Sequence, residues 1–82
     1  MRVFRIKART KGNQVVNQRE YAGLERLRVY GHDVWRRYNR YATAELYEID
    51  STGRWFQIKD EEAVRKLINP YQSDNNKNEN NT

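Results

Sequence analysis

Residues 22–41 read AGLERLRVYGHDVWRRYNRY, and their periodicity decides the fold. Apolar residues and one glycine recur every three or four positions: Leu24, Leu27, Gly31, Val34, Tyr38 and Tyr41. At 100° per residue these positions share a stripe about 100° wide, which predicts one amphipathic helix. The opposite arc of that helix carries Arg26, Arg36, Arg37 and Arg40.

The same stretch has a second interpretation. Gly31 suits a helix C-cap and Asp33 suits an N-cap, so Gly31-His32-Asp33 also fits a break. In that case residues 24–30 form a strand or a short turn, and only residues 33–41 are helical. Val29 favours the break, because it would project among the arginines of a single helix. Both interpretations stay open on the sequence.

Alternating apolar and polar residues predict strands before this stretch. Near the start, one set of alternate positions is apolar and the other is mostly basic: Phe4, Ile6 and Ala8 against Val3, Arg5, Lys7 and Arg9. This pattern is typical of a half-buried strand with a basic outer face. Residues 11–13 predict a turn into a second strand at about residues 14–21.

A β-hairpin is predicted at residues 44–50 and 54–59, with a glycine in its turn. Two pairs of opposite residues are expected on its core face: Ile49 with Phe56, and Tyr47 with Ile58. The other face is then expected to carry Leu46, Asp50, Trp55 and Lys59. This register leaves Trp55 as an exposed aromatic residue.

A short helix is predicted after the hairpin, with Asp60 as its cap and Asn69-Pro70 at its end. Together the elements predict an α+β fold of order β-β-α-β-β-α, in one domain at residues 1–72. Residues 73–82, SDNNKNENNT, contain no apolar residue and predict a disordered tail. A domain this small is expected to have a thin core that depends on aromatic residues.

The charge of the chain is uneven. Its 82 residues carry a net charge of +5, and the first 41 hold eleven Lys or Arg against three acidic residues. The remaining residues hold five basic residues against eight acidic ones. Arginine outnumbers lysine by eleven to five, which favours bidentate recognition of phosphate or carboxylate. The sequence therefore predicts a basic surface that binds an acidic partner.

Composition argues against several classes of protein. The absence of cysteine removes disulfides and thiolate sites, and it favours an intracellular, cytoplasmic location. No segment has the apolar run of a signal peptide or a membrane span. A single histidine, with carboxylates that lack ligand-like spacing, predicts no metal site, and the sequence has no cofactor-binding motif.

The strongest functional pattern is WRRYNRY at residues 35–41, where arginines alternate with aromatic residues. Arginine contacts phosphates and base edges, and aromatic rings stack on unpaired bases, so the pattern favours a non-enzymatic nucleic-acid-binding protein. The candidate binding residues are Arg36, Arg37, Arg40, Trp35, Arg26, Arg5, Lys7, Arg9 and Trp55. Tyr38 and Tyr41 fit a helix core equally well, and basic strand residues also protect a sheet edge from pairing.

Two other functions stay open. Exposed tryptophan and arginine are frequent in protein interfaces, so the same surface also fits a regulatory or assembly-linker module that docks on an acidic protein. A metal-independent ribonuclease would use His32 as its base. Because adjacent residues such as His32 and Asp33 do not point at each other, we predict no catalytic residues.

The opening residues resemble those of a known family. The residues concerned are MRVFRI at 1–6, Ala8, Gln18-Arg19-Glu20, Asp33 and Trp35. Over about the first 37 residues they are similar to the small phycobilisome core linkers, which implies a non-enzymatic linker that binds acidic phycobiliproteins through a basic surface. The glycine pair that these linkers carry before their last strand is absent between Arg40 and Glu45, and we do not assign the chain to the family.

Overall fold

A computed structural model describes residues 1–68, so the predicted domain end at residue 72 and the predicted tail at 73–82 lie outside the described residues. The described residues follow the predicted order β-β-α-β-β-α, which confirms the α+β fold. The strands are β1 (Val3–Arg9), β2 (Val15–Ala22), β3 (Thr43–Ile49) and β4 (Trp55–Ile58). The helices are α1 (Leu24–Tyr41), between β2 and β3, and α2 (Glu61–Ile68), after β4.

The strands form one antiparallel sheet in the order β2-β1-β3-β4, and both helices pack on the same face of it. The alternation in β1 turns Phe4, Ile6 and Ala8 toward the helices, as predicted, and buries them fully. The core of the described residues consists of Phe4, Ile6, Ala8, Tyr21, Leu27, Val34, Tyr38, Ala44, Leu46, Val64 and Ile68. Since only three of these are aromatic, the core depends less on aromatic residues than expected.

The helix α1 is continuous from Leu24 to Tyr41, so the alternative with a break at Gly31-His32-Asp33 is wrong. Gly31 is buried where α1 crosses β1. A Cβ at this position would lie 2.9 Å from Leu27 Cδ1 and 3.2 Å from Ile6 Cδ1. The glycine therefore permits the close approach of helix and sheet and does not end the helix.

The hairpin of β3 and β4 has a register one residue away from the prediction. Ile49 pairs with Trp55, and Tyr47 pairs with Gln57. Leu46 consequently faces the core and is fully buried, whereas we expected it on the opposite face. Tyr47 and Ile49 lie on the sheet face away from the helices, which corrects their predicted place in the core.

The hairpin loop explains this difference. The Asp50 N–H donates to the Arg54 carbonyl at 2.9 Å, so the loop has three residues, 51–53, and Gly53 adopts a φ of 86°. A three-residue loop with a glycine in the left-handed region fixes a register one residue away from the one expected. The Asp50 carboxylate accepts hydrogen bonds from Thr52 and from the Arg54 N–H, which holds the loop.

The helix α2 is fastened at both of its ends. At its start, Asp60 Oδ2 accepts a hydrogen bond from the Ala63 N–H at 3.2 Å, which confirms the predicted cap. At its other end, the Arg28 guanidinium of α1 donates to the carbonyls of Leu67 and Lys66 at 3.2 and 3.3 Å. A cation there also stabilises the helix dipole. The predicted end at Asn69-Pro70 lies outside the described residues.

Candidate binding surface

The basic residues singled out from the sequence lie on two opposite sides of the domain. Arg5, Lys7 and Arg9 project from β1 on the side of the sheet away from the helices, which we call the open sheet face. The α1 arginines, by which we mean Arg26, Arg36, Arg37 and Arg40, project from the exposed side of α1. The topology thus separates the two groups, and they do not form one surface.

The cations of the open sheet face already have partners. Arg5 forms an ion pair with Glu20 and places its guanidinium 4.1 Å from the ring centroid of Trp55. Lys7 Nζ lies 4.4 Å from the ring centroid of Tyr47. Each of these contacts joins β1 to a neighbouring or next-neighbouring strand, and such cation–π contacts stabilise by about 0.5–1 kcal/mol where they are exposed.

Arg9 belongs to a hydrogen-bonded group of three on the open sheet face. Its Nε donates to both carboxylate oxygens of Glu45 at 3.0 Å, and the Tyr47 hydroxyl donates to Glu45 Oε1 at 2.7 Å. The neighbouring Tyr47 hydroxyl and the Glu45 carboxylate raise the pKa of Arg9 above its ordinary value. Burial, and then Glu45, raise the pKa of the Tyr47 phenol. Arg9 is thus already bonded to β3 within the sheet.

The position of β1 in the sheet shows whether its basic residues protect an exposed edge from pairing with other chains. In the order β2-β1-β3-β4, β1 has a neighbour on each side. Its basic residues therefore do not protect an open edge, because β1 has none. The edge strands of the sheet are β2 and β4.

The α1 arginines, in contrast, are exposed and make no hydrogen bond or ion pair within residues 1–68. Arg19 of β2, which we did not single out from the sequence, shares this state. It faces the helix side of the sheet, since it pairs with the buried Ile6 and lies two residues before the buried Tyr21, on the same side of β2. The spacing of two residues between Arg19 and the aromatic Tyr21 was the sequence signal that both lie on the same face of β2.

Arg19, Arg26 and Arg37 line one depression between β2 and α1, which we call the β2–α1 groove and which has a volume of about 1120 Å³. Two apolar residues of α1 also line it and are largely exposed, Val29 at 59% and Tyr30 at 61%. They lie about one helical turn after Arg26 and about two turns before Arg37. Along α1 the groove thus presents two exposed apolar residues, followed by Asp33, between the unpaired arginines Arg26 and Arg37.

Tyr21 forms part of the same groove and is 6% exposed. Its hydroxyl has no hydrogen-bond partner in the described part of the chain. Burial raises the pKa of this phenol, and the charges of Arg19 and Arg37 act against that rise. The lining of the groove therefore includes a residue whose buried hydroxyl lies within range of the charges of Arg19 and Arg37.

Trp35 and Arg36 lie on the other side of α1. They line a cleft of about 600 Å³ between α1, α2 and the strands β3 and β4, together with His32. Trp35 is partly buried and packs against the core, so its ring is only partly available for stacking. Asp33 lines the β2–α1 groove, and within residues 1–68 no hydrogen bond or ion pair joins its carboxylate to the imidazole of His32. The WRRYNRY stretch is accordingly divided between two depressions.

The two tyrosines of that stretch have different environments. Tyr38 is buried in the core, whereas Tyr41 is 52% exposed at the end of α1. The hydroxyl of Tyr41 accepts a hydrogen bond from Asn17 Nδ2 at 2.9 Å, and its ring meets Tyr38 edge-on with centroids 6.1 Å apart. Tyr41 is thus an exposed ring held in place, beside Arg40 and Arg37.

The described residues contain no group of three or more His, Cys, Asp or Glu side chains that could hold a metal ion. Among residues 1–68, no helix has the length and apolar character needed to cross a membrane. No protein-family model, curated protein or solved structure matches the chain, so the similarity of its first residues to phycobilisome core linkers remains a resemblance.

Proposed function

We propose that this protein is a non-enzymatic binding module that docks its β2–α1 groove on an acidic surface of another protein. One observation carries the proposal: exposed Val29 and Tyr30 lie between the unpaired arginines Arg26 and Arg37. An apolar centre with a polar rim is the usual composition of a protein interface, and tryptophan, tyrosine and arginine are enriched among the residues that contribute most to binding.

The distribution of paired and unpaired charges also favours the groove, and not the open sheet face, as the side that binds a partner. A partner that bound the open sheet face would have to displace Glu20 from Arg5 or Glu45 from Arg9. A partner that bound the groove would displace only water from Arg26 and Arg37, because neither has an acidic neighbour bound to it in residues 1–68.

The groove also suits a protein better than a polyphosphate backbone. An exposed valine gains free energy by contact with apolar side chains and gains nothing from a phosphate. Asp33 lines the groove as well, so a partner that is acidic opposite Arg26 and Arg37 needs an uncharged or basic residue opposite Asp33, which a protein surface can supply and a phosphate backbone cannot. The mixture of charges gives a protein partner both affinity and orientation.

The proposal is tested by a matched pair of double variants. Arg26→Gln with Arg37→Gln removes two charges from the groove, and Lys59→Gln with Lys66→Gln removes two exposed charges elsewhere. Each is used as bait in nuclease-treated lysate of the native cells, and the affinity for the captured protein is then measured. We expect the arginine variant to bind at least about tenfold more weakly and the lysine variant to bind like the wild type.

A substitution at an apolar position of the groove distinguishes specific docking from a general attraction between charges. Val29→Ser leaves the charge unchanged but removes apolar area from the centre of the groove, and we expect weaker binding that added salt does not restore. Capture that disappears with nuclease treatment, or that is equal for all three variants, would contradict the proposal.

A nucleic acid is the second candidate partner, and Tyr41 favours it. An exposed ring that is held by Asn17 and flanked by Arg37 and Arg40 can stack on an unpaired base. The test is a gel shift with generic RNA and DNA, single- and double-stranded, over a series of salt concentrations. Binding that weakens steeply with salt and with Arg37→Gln would support this candidate, and no complex with any of the four would remove it.

A further inference from the structure

Within residues 1–68, no strand pairs with the outer edge of β2. Its eight residues, Val15–Ala22, form one side of the sheet, and all of them except Tyr21 are exposed. The opposite edge is formed by β4, which has only four residues. A long open edge offers its backbone N–H and C=O groups to another extended chain.

The hydrogen-bond pattern shows which groups are offered. The Gly23 N–H donates to the Arg2 carbonyl at 2.7 Å, so these directly opposite residues form a hydrogen-bonded pair. In an antiparallel ladder, hydrogen-bonded and non-hydrogen-bonded pairs alternate. By this alternation Arg19 bonds to β1, and the N–H and C=O groups of Gln18 and Glu20 point away from β1 toward the open edge.

The side chains at this edge select the chemistry of an added strand. On the helix side, alternate residues of that strand would lie beside Arg19 and face the β2–α1 groove with Arg26 and Arg37. On the other side they would lie beside Gln18 and Glu20, and the Glu20 carboxylate is already bound to Arg5. Acidic residues are therefore favoured at alternate positions on the helix side, and uncharged residues between them.

We propose that the partner of this module adds an extended acidic segment to the edge of β2 as a fifth strand of the sheet. This rests on the proposed function, and it specifies how the same groove is occupied. Two copies joined through β2 would bring two sets of unpaired arginines side by side, so charge favours an acidic segment over a second copy. The backbone of β2 provides the hydrogen bonds to the added strand. Arg19, Arg26 and Arg37 make an acidic sequence the preferred one.

The test uses a defined probe. It is a synthetic peptide of eight alternating glutamate and valine residues, blocked at both ends and labelled for fluorescence polarisation. A control peptide of the same sequence carries N-methyl groups on alternate residues, which removes its ability to pair as a strand. We expect the first peptide to bind and the methylated peptide to bind at least about tenfold more weakly.

A substitution on β2 blocks strand pairing from the side of the protein, as the N-methyl groups do from the side of the peptide. Gln18→Pro removes an N–H that points to the open edge and leaves the ladder with β1 intact, which is where an edge strand tolerates proline. Gln18→Ala is the control, since it changes the same side chain and keeps the N–H. We expect the proline variant to bind the peptide about tenfold more weakly than the alanine variant, because the two lack the same side chain and only the proline lacks the N–H.

Hydrogen exchange of the wild type gives a readout that does not depend on the stability of a variant. On peptide binding, the amides of Gln18 and Glu20 should exchange at least about tenfold more slowly. The Arg19 amide, which bonds to β1 already, should change less. An unchanged exchange rate at both outward amides would overturn the edge pairing.

The outcomes separate this inference from the proposed function. If Gln18→Pro binds normally while Arg26→Gln with Arg37→Gln weakens binding, the edge pairing is wrong and the acidic partner stands. If the wild type does not bind the peptide, or instead forms a dimer that Gln18→Pro abolishes, the acidic strand is wrong. If a single-stranded RNA binds more tightly than the peptide and is lost with the arginine variant, nucleic acid replaces the protein partner in both proposals.

Discussion

Replacement of Gly31 by alanine tests the contact on which the position of α1 depends. A methyl group at this position would lie 2.9 Å from Leu27 Cδ1 and 3.2 Å from Ile6 Cδ1, and both neighbouring side chains are fully buried. Alanine gains about 1 kcal/mol over glycine in a helix, but an extra methyl group in a close-packed core costs about 1–3 kcal/mol. Because both neighbouring side chains are fully buried and would have to shift within the core, we expect a net destabilisation of up to about 2 kcal/mol.

The assay is urea unfolding, combined with a double-variant cycle. Ile6→Val removes the Cδ1 atom that the new methyl group would approach, so Gly31→Ala should cost less in the Ile6→Val background than in the wild type. A glycine that served only as a helix cap would show no such coupling. The reasoning is refuted if Gly31→Ala stabilises the protein, or if its effect is the same in both backgrounds.

Three further predictions concern stability. Arg28→Ala removes the donor to the last carbonyls of α2 and should lower the free energy of unfolding by about 1–2 kcal/mol, with faster amide exchange in α2; unchanged exchange would contradict this. Tyr21→Phe removes a buried hydroxyl that has no partner in residues 1–68, so it should be neutral or stabilise by about 1 kcal/mol, and a clear loss in urea unfolding would show that the hydroxyl is bound. The hydrogen bond from the Thr52 hydroxyl is the largest cause that lowers the pKa of Asp50 in the folded state. The stability that Asp50 contributes is therefore fully present above its ordinary pKa, and it is lost as the pH falls through the lowered pKa. Asp50→Asn should therefore unfold with a weaker pH dependence between about pH 5 and pH 2 than the wild type, and identical profiles would refute this assignment.

The fold could be predicted because its decisive patterns are local. The alternation of Phe4, Ile6 and Ala8 and the three-to-four spacing along α1 both report which side of an element is buried. The register of the hairpin could not be predicted in the same way. Both faces of β3 carry large residues, since Leu46 alternates with Tyr47, so only the loop length decided between them.

The candidate binding surface could be predicted only in part, because the choice between its basic residues depends on ion pairs that are distant in sequence. Arg9 and Glu45 are 36 residues apart, and Arg5 and Glu20 are 15 apart. A count of charges along the chain gives these arginines the same weight as Arg37. Only the antiparallel register, which places Glu20 beside Arg5 on the open sheet face, shows that they already have partners.

This difference in pairing also predicts how substitutions on the two sides should act. Removal of Arg9 leaves the partly buried Glu45 without its cation, so the loss falls on the stability of the folded protein. Removal of Arg37 leaves no partner behind in residues 1–68, so stability should change little and the loss should fall on binding. A charge-neutralising scan that measures unfolding and partner affinity together should therefore divide the basic residues into two groups. Arg37 and Arg26 belong with the groove, although every one of these positions contributes equally to the net charge.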